Sequence, residues 1–168
     1  KMNKTELIKY LSDRFQLTGS RFMSNKDPYM ITVSPSTDWD FVTYESSEEL
    51  TSLMVLLNAR GVDYQYPGKL RPQEKPGFLE RLGISAKQAE AYMSDASTRS
   101  VLKCFGDSIN LIVKTDDSYL KYVSVFEKMT PVFYRKYIWK SSPENSEIPK
   151  MEMRAKIQER IELLLAFQ

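Results

Sequence analysis

Apolar positions along the chain recur at two periods, and the switches between them predict the elements. Leu7, Ile8, Leu11 and Phe15 lie at helical spacing, so residues 3–16 read as a helix that Asn3 or Thr5 can cap. Leu17-Thr18-Gly19-Ser20 breaks that period as a short β-like segment running into a glycine turn. Residues 22–30 read as a loop, with Asn25, Asp27 and Pro28 as breakers. Tyr29 to Val33 and Trp39 to Tyr44 then read as strands, separated by Ser34-Pro35-Ser36. Ser47 is placed to cap a helix carrying Leu50, Leu53, Met54 and Leu57, which Gly61 ends. Val62 to Tyr66 predicts another strand.

The second half is read in the same way. Residues 67–80 hold Pro, Gly and charge and read as a loop; 85–93 reads as a helix. Val101–Phe105 and Ser108–Lys114 are β-type runs around Gly106-Asp107, which suggests a hairpin or tight loop. Helices are expected over 118–129 and 132–139, broken at Pro131. Residues 141–150 read as a linker and 151–167 as a closing helix with Ile157, Ile161, Leu164 and Leu165 on one stripe. The expected fold is α+β: a small mixed β-sheet with helices packed on one face and a helical C-terminal half. The 168 residues fit a single domain, 1–168, with a sheet-containing half over 1–118 and a helical part over 119–168.

Composition narrows the chemistry. The chain has no histidine, which excludes Ser-His-Asp and Cys-His catalysis and His-ligated zinc. Acid-base or metal chemistry must use Asp, Glu, Lys, Tyr or water, and hard carboxylate oxygens suit Mg²⁺ or Mn²⁺. The one cysteine, Cys104, excludes an intramolecular disulfide and lies in an apolar run, where it reads as a buried strand residue. No apolar run approaches the roughly 20 residues of a membrane span, so no membrane partner is expected. No signal-peptide pattern opens the chain, which points to the cytoplasm. The net charge of +2 is unevenly spread: residues 1–118 carry 15 basic and 16 acidic side chains, residues 119–168 carry 9 and 6. A local excess of +3 is too small to argue for a nucleic-acid surface.

The most informative stretch is Thr18-Gly19-Ser20-Arg21 followed by Ser36-Thr37-Asp38-Trp39-Asp40-Phe41. On a strand, alternate side chains share a face, so Asp38 and Asp40 project together while Trp39 and Phe41 enter the core. Two carboxylates on one face can bind one divalent ion, or bridge two ions about 3.5–4 Å apart. Gly19 lets backbone amides approach phosphate oxygens, Ser20 adds a hydroxyl donor, and Arg21 can add a charge-assisted bond. The intervening segment from Arg21 to Thr37 holds Lys26 and Tyr29, further candidates for phosphate or base contacts.

Glycine-serine, a loop, then Asp-x-Asp between hydrophobic residues on a strand resembles the signature of the polymerase-beta-like nucleotidyltransferases. The match covers residues 18–41, and the rest follows by order of elements. The resemblance implies that Gly19 and Ser20 hold the triphosphate of an NTP, ATP first among them. It implies that Asp38 and Asp40 hold Mg²⁺ or Mn²⁺, and that a nucleoside monophosphate passes to a hydroxyl of an RNA, protein or small-molecule acceptor. A third acid belongs on a later strand. Ser108-Ile109-Asn110-Leu111-Ile112-Val113 stands there and offers Asn110. Three explanations compete: an engineered substitution, a fold that has lost catalysis and kept binding, or another acid (Asp107, Asp116 or Asp117) in the role. The alternative function is a catalytically silent nucleotidyltransferase fold, of the phage-encoded sort, that regulates or inhibits a protein or RNA partner.

The remaining motifs read as packing or solvated surface. Phe133-Tyr134-Arg135-Lys136-Tyr137-Ile138-Trp139-Lys140 could stack on bases, but an amphipathic helix with Phe133, Tyr137 and Trp139 inward accounts for it.

Overall fold

The computed structural model describes residues 1–67, 83–85, 99–137, 158 and 161–162. The elements in chain order are α1 (Lys4–Arg14), β1 (Gln16–Thr18), α2 (Gly19–Lys26), β2 (Trp39–Tyr44), α3 (Glu48–Ala59), β3 (Tyr64–Gln65), β4 (Arg99–Cys104), β5 (Ile109–Lys114), α4 (Asp116–Lys128) and α5 (Pro131–Tyr137). The fold is α+β. The chain divides into two compact units. One comprises Lys1–Gly68 with Arg99–Pro131 and contains the whole sheet; the other comprises Lys69–Thr98 with Val132–Gln168. α4 thus belongs to the sheet-containing unit, although its sequence position is in the C-terminal part. Most of the loop expected over 67–80, the helix over 85–93, the linker 141–150 and nearly all of the helix over 151–167 lie outside the described residues.

The sheet has five strands in the order β1-β2-β5-β4-β3. β2 and β5 pair in parallel at its centre; the other pairings are antiparallel. Register follows from the pleat, because a one-residue slip would turn every core side chain to the other face. Phe41 stands opposite Leu17 on one side and Leu111 on the other, and Leu111 stands opposite Leu102. These residues face the core with Leu7, Leu11 and Phe15 from α1 and its end, and Leu50, Leu53 and Leu57 from α3. Full burial of each such side chain contributes about 1.5–3 kcal/mol. The expected helical layer on one face is therefore α1 with α3. α4 meets the opposite face as well: Tyr119 tilts against Tyr44 at 5.1 Å between ring centroids, and the Tyr122 hydroxyl lies 3.2 Å from Thr18 Oγ1.

Local signals explain the ends of α1 and α3. Asn3 and Glu6 form a reciprocal capping box at α1. The Ser47 hydroxyl accepts the Leu50 N–H at the start of α3. At its end Gly61 takes φ +64°, while Val62 N–H reaches Leu57 O and Gly61 N–H reaches Asn58 O. That is a Schellman ending, and a side chain at Gly61 would be strained.

Three expectations are corrected. Residues 22–26 are not a loop but the body of α2, which Met23, fully buried, and Phe22, edge-on to Phe126, dock by tertiary packing. Residues 29–33 are not a strand. The Asp27 carboxylate accepts the N–H groups of Tyr29 and Met30, and Ile31 N–H bonds to Asp27 O. The segment therefore closes as an Asx-type turn with Ile31 as its buried anchor. The strand over 62–66 shrinks to Tyr64–Gln65, because only those residues pair with β4.

Candidate functional site

The pleat that sends Phe41, Leu111 and Leu102 into the core sends their neighbours to the other face. Thr18 is in register with Asp40, Asp40 with Asn110, Asn110 with Lys103, and Lys103 with Gln65. One transverse row of polar residues thus crosses all five strands, with Asp40 and Asn110 on the central parallel pair.

Gly19 is pressed against this row. Its φ is +71°, and a Cβ built there would lie 2.6 Å from Asp40 Oδ2 and 3.1 Å from Asp40 Cβ. Any L side chain would be strained in that conformation and would also collide with the carboxylate. The glycine turn, and with it the first turn of α2, is therefore held directly beside the acid. Thr18, the N-cap residue of α2, makes no side-chain cap bond to that turn. The first N–H groups of a helix have no intrahelical partner and present a positive dipole end, which suits an anionic ligand.

Asn110 donates its amide N–H groups to Asp40 Oδ1 at 3.2 Å and to the Asp107 carbonyl at 2.9 Å. Both partners accept only, so the orientation of the amide is settled: nitrogen, not oxygen, faces Asp40. Asp107 sits in the β4–β5 turn, and its exposed carboxylate pairs with Lys103 at 3.2 Å. Asp116 and Asp117 lie beyond the far end of β5, in the first turn of α4, where Asp116 accepts the Ser46 N–H at 3.0 Å. Hydrogen bonds from the Ser46 hydroxyl and then its N–H hold Asp116 below the ordinary carboxylate range. Of the three acids weighed for the missing role, only Asp107 adjoins Asn110.

Asp38 immediately precedes β2 and is exposed. The loop delivering it is strapped by Arg21, whose Nη2 donates to Thr37 O at 2.7 Å and Ser34 O at 3.0 Å, and whose Nε reaches Thr37 O. The guanidinium also stacks over Trp39, 4.1 Å from the ring centroid. Burial lowers its pKa below the usual arginine value, and the charges of Asp38 and Asp40 oppose that shift. Both carboxylates thus act on one guanidinium, which orders the loop at Asp38. Lys26 has a different task from phosphate contact: its ammonium donates to the carbonyls of Phe126, Glu127 and Met129 at the end of α4. Tyr29 is 93% exposed. Cys104 is buried, and burial pushes its thiol up to about 11, which leaves it protonated and unreactive at neutral pH.

Asp38 and Asp40 carry hard oxygen donors of the kind a divalent cation takes. Asn110 instead turns an N–H toward the Asp40 carboxylate. Among the described residues no group of three or more Asp, Glu, His or Cys side chains is arranged to hold a metal ion. Nor, among them, is any helix long and apolar enough to cross a membrane. Lys103 and Gln65 are not among the candidates that the sequence offers. The signal available for Lys103 was a lone cation inside the apolar run 101–105, on the polar alternation of β4.

No protein-family model, curated protein or solved structure matches the chain.

Proposed function

We propose that the chain is a metal-dependent nucleotidyltransferase of the polymerase-beta-like type, moving an NMP from an NTP to a hydroxyl of an acceptor. The observation that carries this reading is the contact of the Gly19 turn with the Asp40 carboxylate. It brings an anion-binding helix start and a cation-binding acid together, as a metal–triphosphate complex requires. Gly19 and Ser20 bind the β- and γ-phosphates through backbone N–H groups and the Ser20 hydroxyl. Asp38 and Asp40 hold the Mg²⁺ or Mn²⁺, and Arg21 keeps Asp38 in place. A cation bound there neutralises triphosphate oxygens and the departing pyrophosphate. The acceptor oxygen bonds to the α-phosphorus, the bond from that phosphorus to the β-bridging oxygen breaks, and the hydroxyl proton passes to water. Asn110, on the acceptor side, has no basic group to take it. Positioning and charge neutralisation supply most of the rate in such transfers. The NTP is ATP first, the acceptor an RNA, protein or small molecule, and the compartment the cytoplasm.

One observation favours a second reading. The Asn110 amide bonded to Asp40 suits a catalytically silent fold that binds nucleotide and regulates or inhibits a protein or RNA partner. Label transfer from α-labelled NTPs into RNA, protein and small-molecule fractions of a lysate separates the two. Transfer by the native chain that disappears in the Asp38→Asn, Asp40→Asn double variant supports the enzyme. Metal-dependent nucleotide binding without transfer, lost in the same variant, supports the silent fold. Neither binding nor transfer sinks both.

A further inference from the structure

Resting on that reading, we propose that this site works with one divalent cation, and that the Lys103 ammonium supplies the positive charge at the position of a second. Two observations converge. The first is the orientation of Asn110. Its amide N–H already occupies Asp40 Oδ1, and its other N–H is tied to the Asp107 carbonyl. A second cation bridging through that oxygen would meet a donor where it needs a ligand. The second is the next residue along the polar row. Lys103 is directly opposite Asn110 in the β4–β5 register, where paired Cβ atoms lie about 4.5–5.5 Å apart. Its ammonium is held at the β4–β5 turn by Asp107, the same residue whose carbonyl fixes Asn110.

The Lys103–Asp107 pair can exchange partners. The Asp107 side chain is 80% exposed and that of Lys103 24%, so the carboxylate is readily screened by water while the ammonium stays on the sheet face. A phosphate oxygen entering over Asn110 is a stronger partner than a screened carboxylate. Lys103 adds a single positive charge to the row beside Asp40, on the strand next to Asn110. The class of ligand is therefore a nucleoside triphosphate carrying one bound cation, its α-phosphate lying toward Lys103.

The test is a count of ions. The full chain is saturated with an ATP analogue whose α- and β-phosphorus atoms are joined by a methylene, so nothing turns over. Bound Mn²⁺ is read from the loss of the free-ion signal in electron paramagnetic resonance, and bound analogue by equilibrium dialysis. The native chain should hold one Mn²⁺ per bound analogue, and Asn110→Asp two. Lys103→Gln should keep one ion but bind the analogue about tenfold more weakly, and Lys103→Arg should recover most of the loss. Two ions in the native chain, or unchanged affinity in Lys103→Gln, overturns this proposal and leaves the nucleotidyltransferase reading standing. No bound analogue at any Mn²⁺ concentration overturns both.

Discussion

At the scale of single residues, two positions show why chemistry and packing are inseparable here. Gly19 is required twice, by its positive φ and by the Asp40 carboxylate that a side chain would strike. Gly19→Ala should destabilise the fold by about 1–2 kcal/mol from backbone strain alone. It should also shift Asp40, so that metal-dependent nucleotide binding falls more than urea stability does; paired urea melts and binding isotherms check both. Asn110 is the other position. Asn110→Asp replaces an N–H···O bond to Asp40 with a like charge, at a cost of about 1 kcal/mol or more. Its melting temperature should drop in chelator and recover when Mn²⁺ is added, whereas the native chain responds less to Mn²⁺. Equal responses in the two proteins would mean that residue 110 does not face the cation position. The Gly-Ser and Asp-x-Asp residues stand out in sequence as candidates because their spacing has a mechanical reason. The direction of the Asn110 amide does not, because it depends on Asp107 and Asp40, one in a turn and one on another strand.

At the scale of elements, side chains that look functional in sequence turn out to join helices to their neighbours. Lys26 closes the end of α4 with three carbonyl contacts across about a hundred residues of chain. Its charge also suits the negative end of that helix. Lys26→Met should lower stability by about 1–2 kcal/mol in urea denaturation and leave nucleotide binding unchanged. Asp116 ties the start of α4 to Ser46, in the turn between β2 and α3. Because the fold lowers its pKa, its contribution is present in full above the unfolded value and is lost as pH falls through the folded one. The gap in melting temperature between the native chain and Asp116→Asn should therefore be open at pH 7 and close as the pH drops below about 4. A gap unchanged by acid would show that the Ser46 bond favours neither protonation state. Sequence pattern found α1, β2, α3, β5 and α4 because each carries its own period or cap. It missed α2, which is eight residues of Gly, Ser and Asn character held by Met23 and Phe22 against distant partners. It read a strand over 29–33 because Met30, Ile31 and Val33 are apolar. The Asp27 side chain takes the backbone donors that a strand would have used.

At the scale of the whole molecule, the sheet-containing unit is assembled from two stretches of chain, Lys1–Gly68 and Arg99–Pro131. Its central pair, β2 and β5, joins one stretch to the other, and the register of Asp40 against Asn110 hangs on that pairing. Leu111 lies on β5 next to Asn110 and is buried on the opposite face. Leu111→Ala should cost about 2–5 kcal/mol and, by loosening the register of Asn110 against Asp40, should weaken metal-dependent nucleotide binding as well. Urea denaturation measures the first effect and analogue dialysis the second. A large loss of stability with intact binding would separate the core from the site.

By itself the sequence determined the α+β class, the cap that starts α3 and the absence of any histidine-based chemistry, and it singled out Gly19, Ser20, Asp38 and Asp40 as candidates. Each of these is encoded in residue identity or in spacings of a few positions. The tertiary structure alone decided that Gly19 lies against Asp40, that Asn110 offers nitrogen rather than oxygen, that Lys103 is its neighbour, and that Arg21 and Lys26 are anchors. Those facts depend on register between strands and on contacts across as many as 103 positions of chain. No local pattern carries them, because strand register is set by matching whole core faces rather than by any one residue.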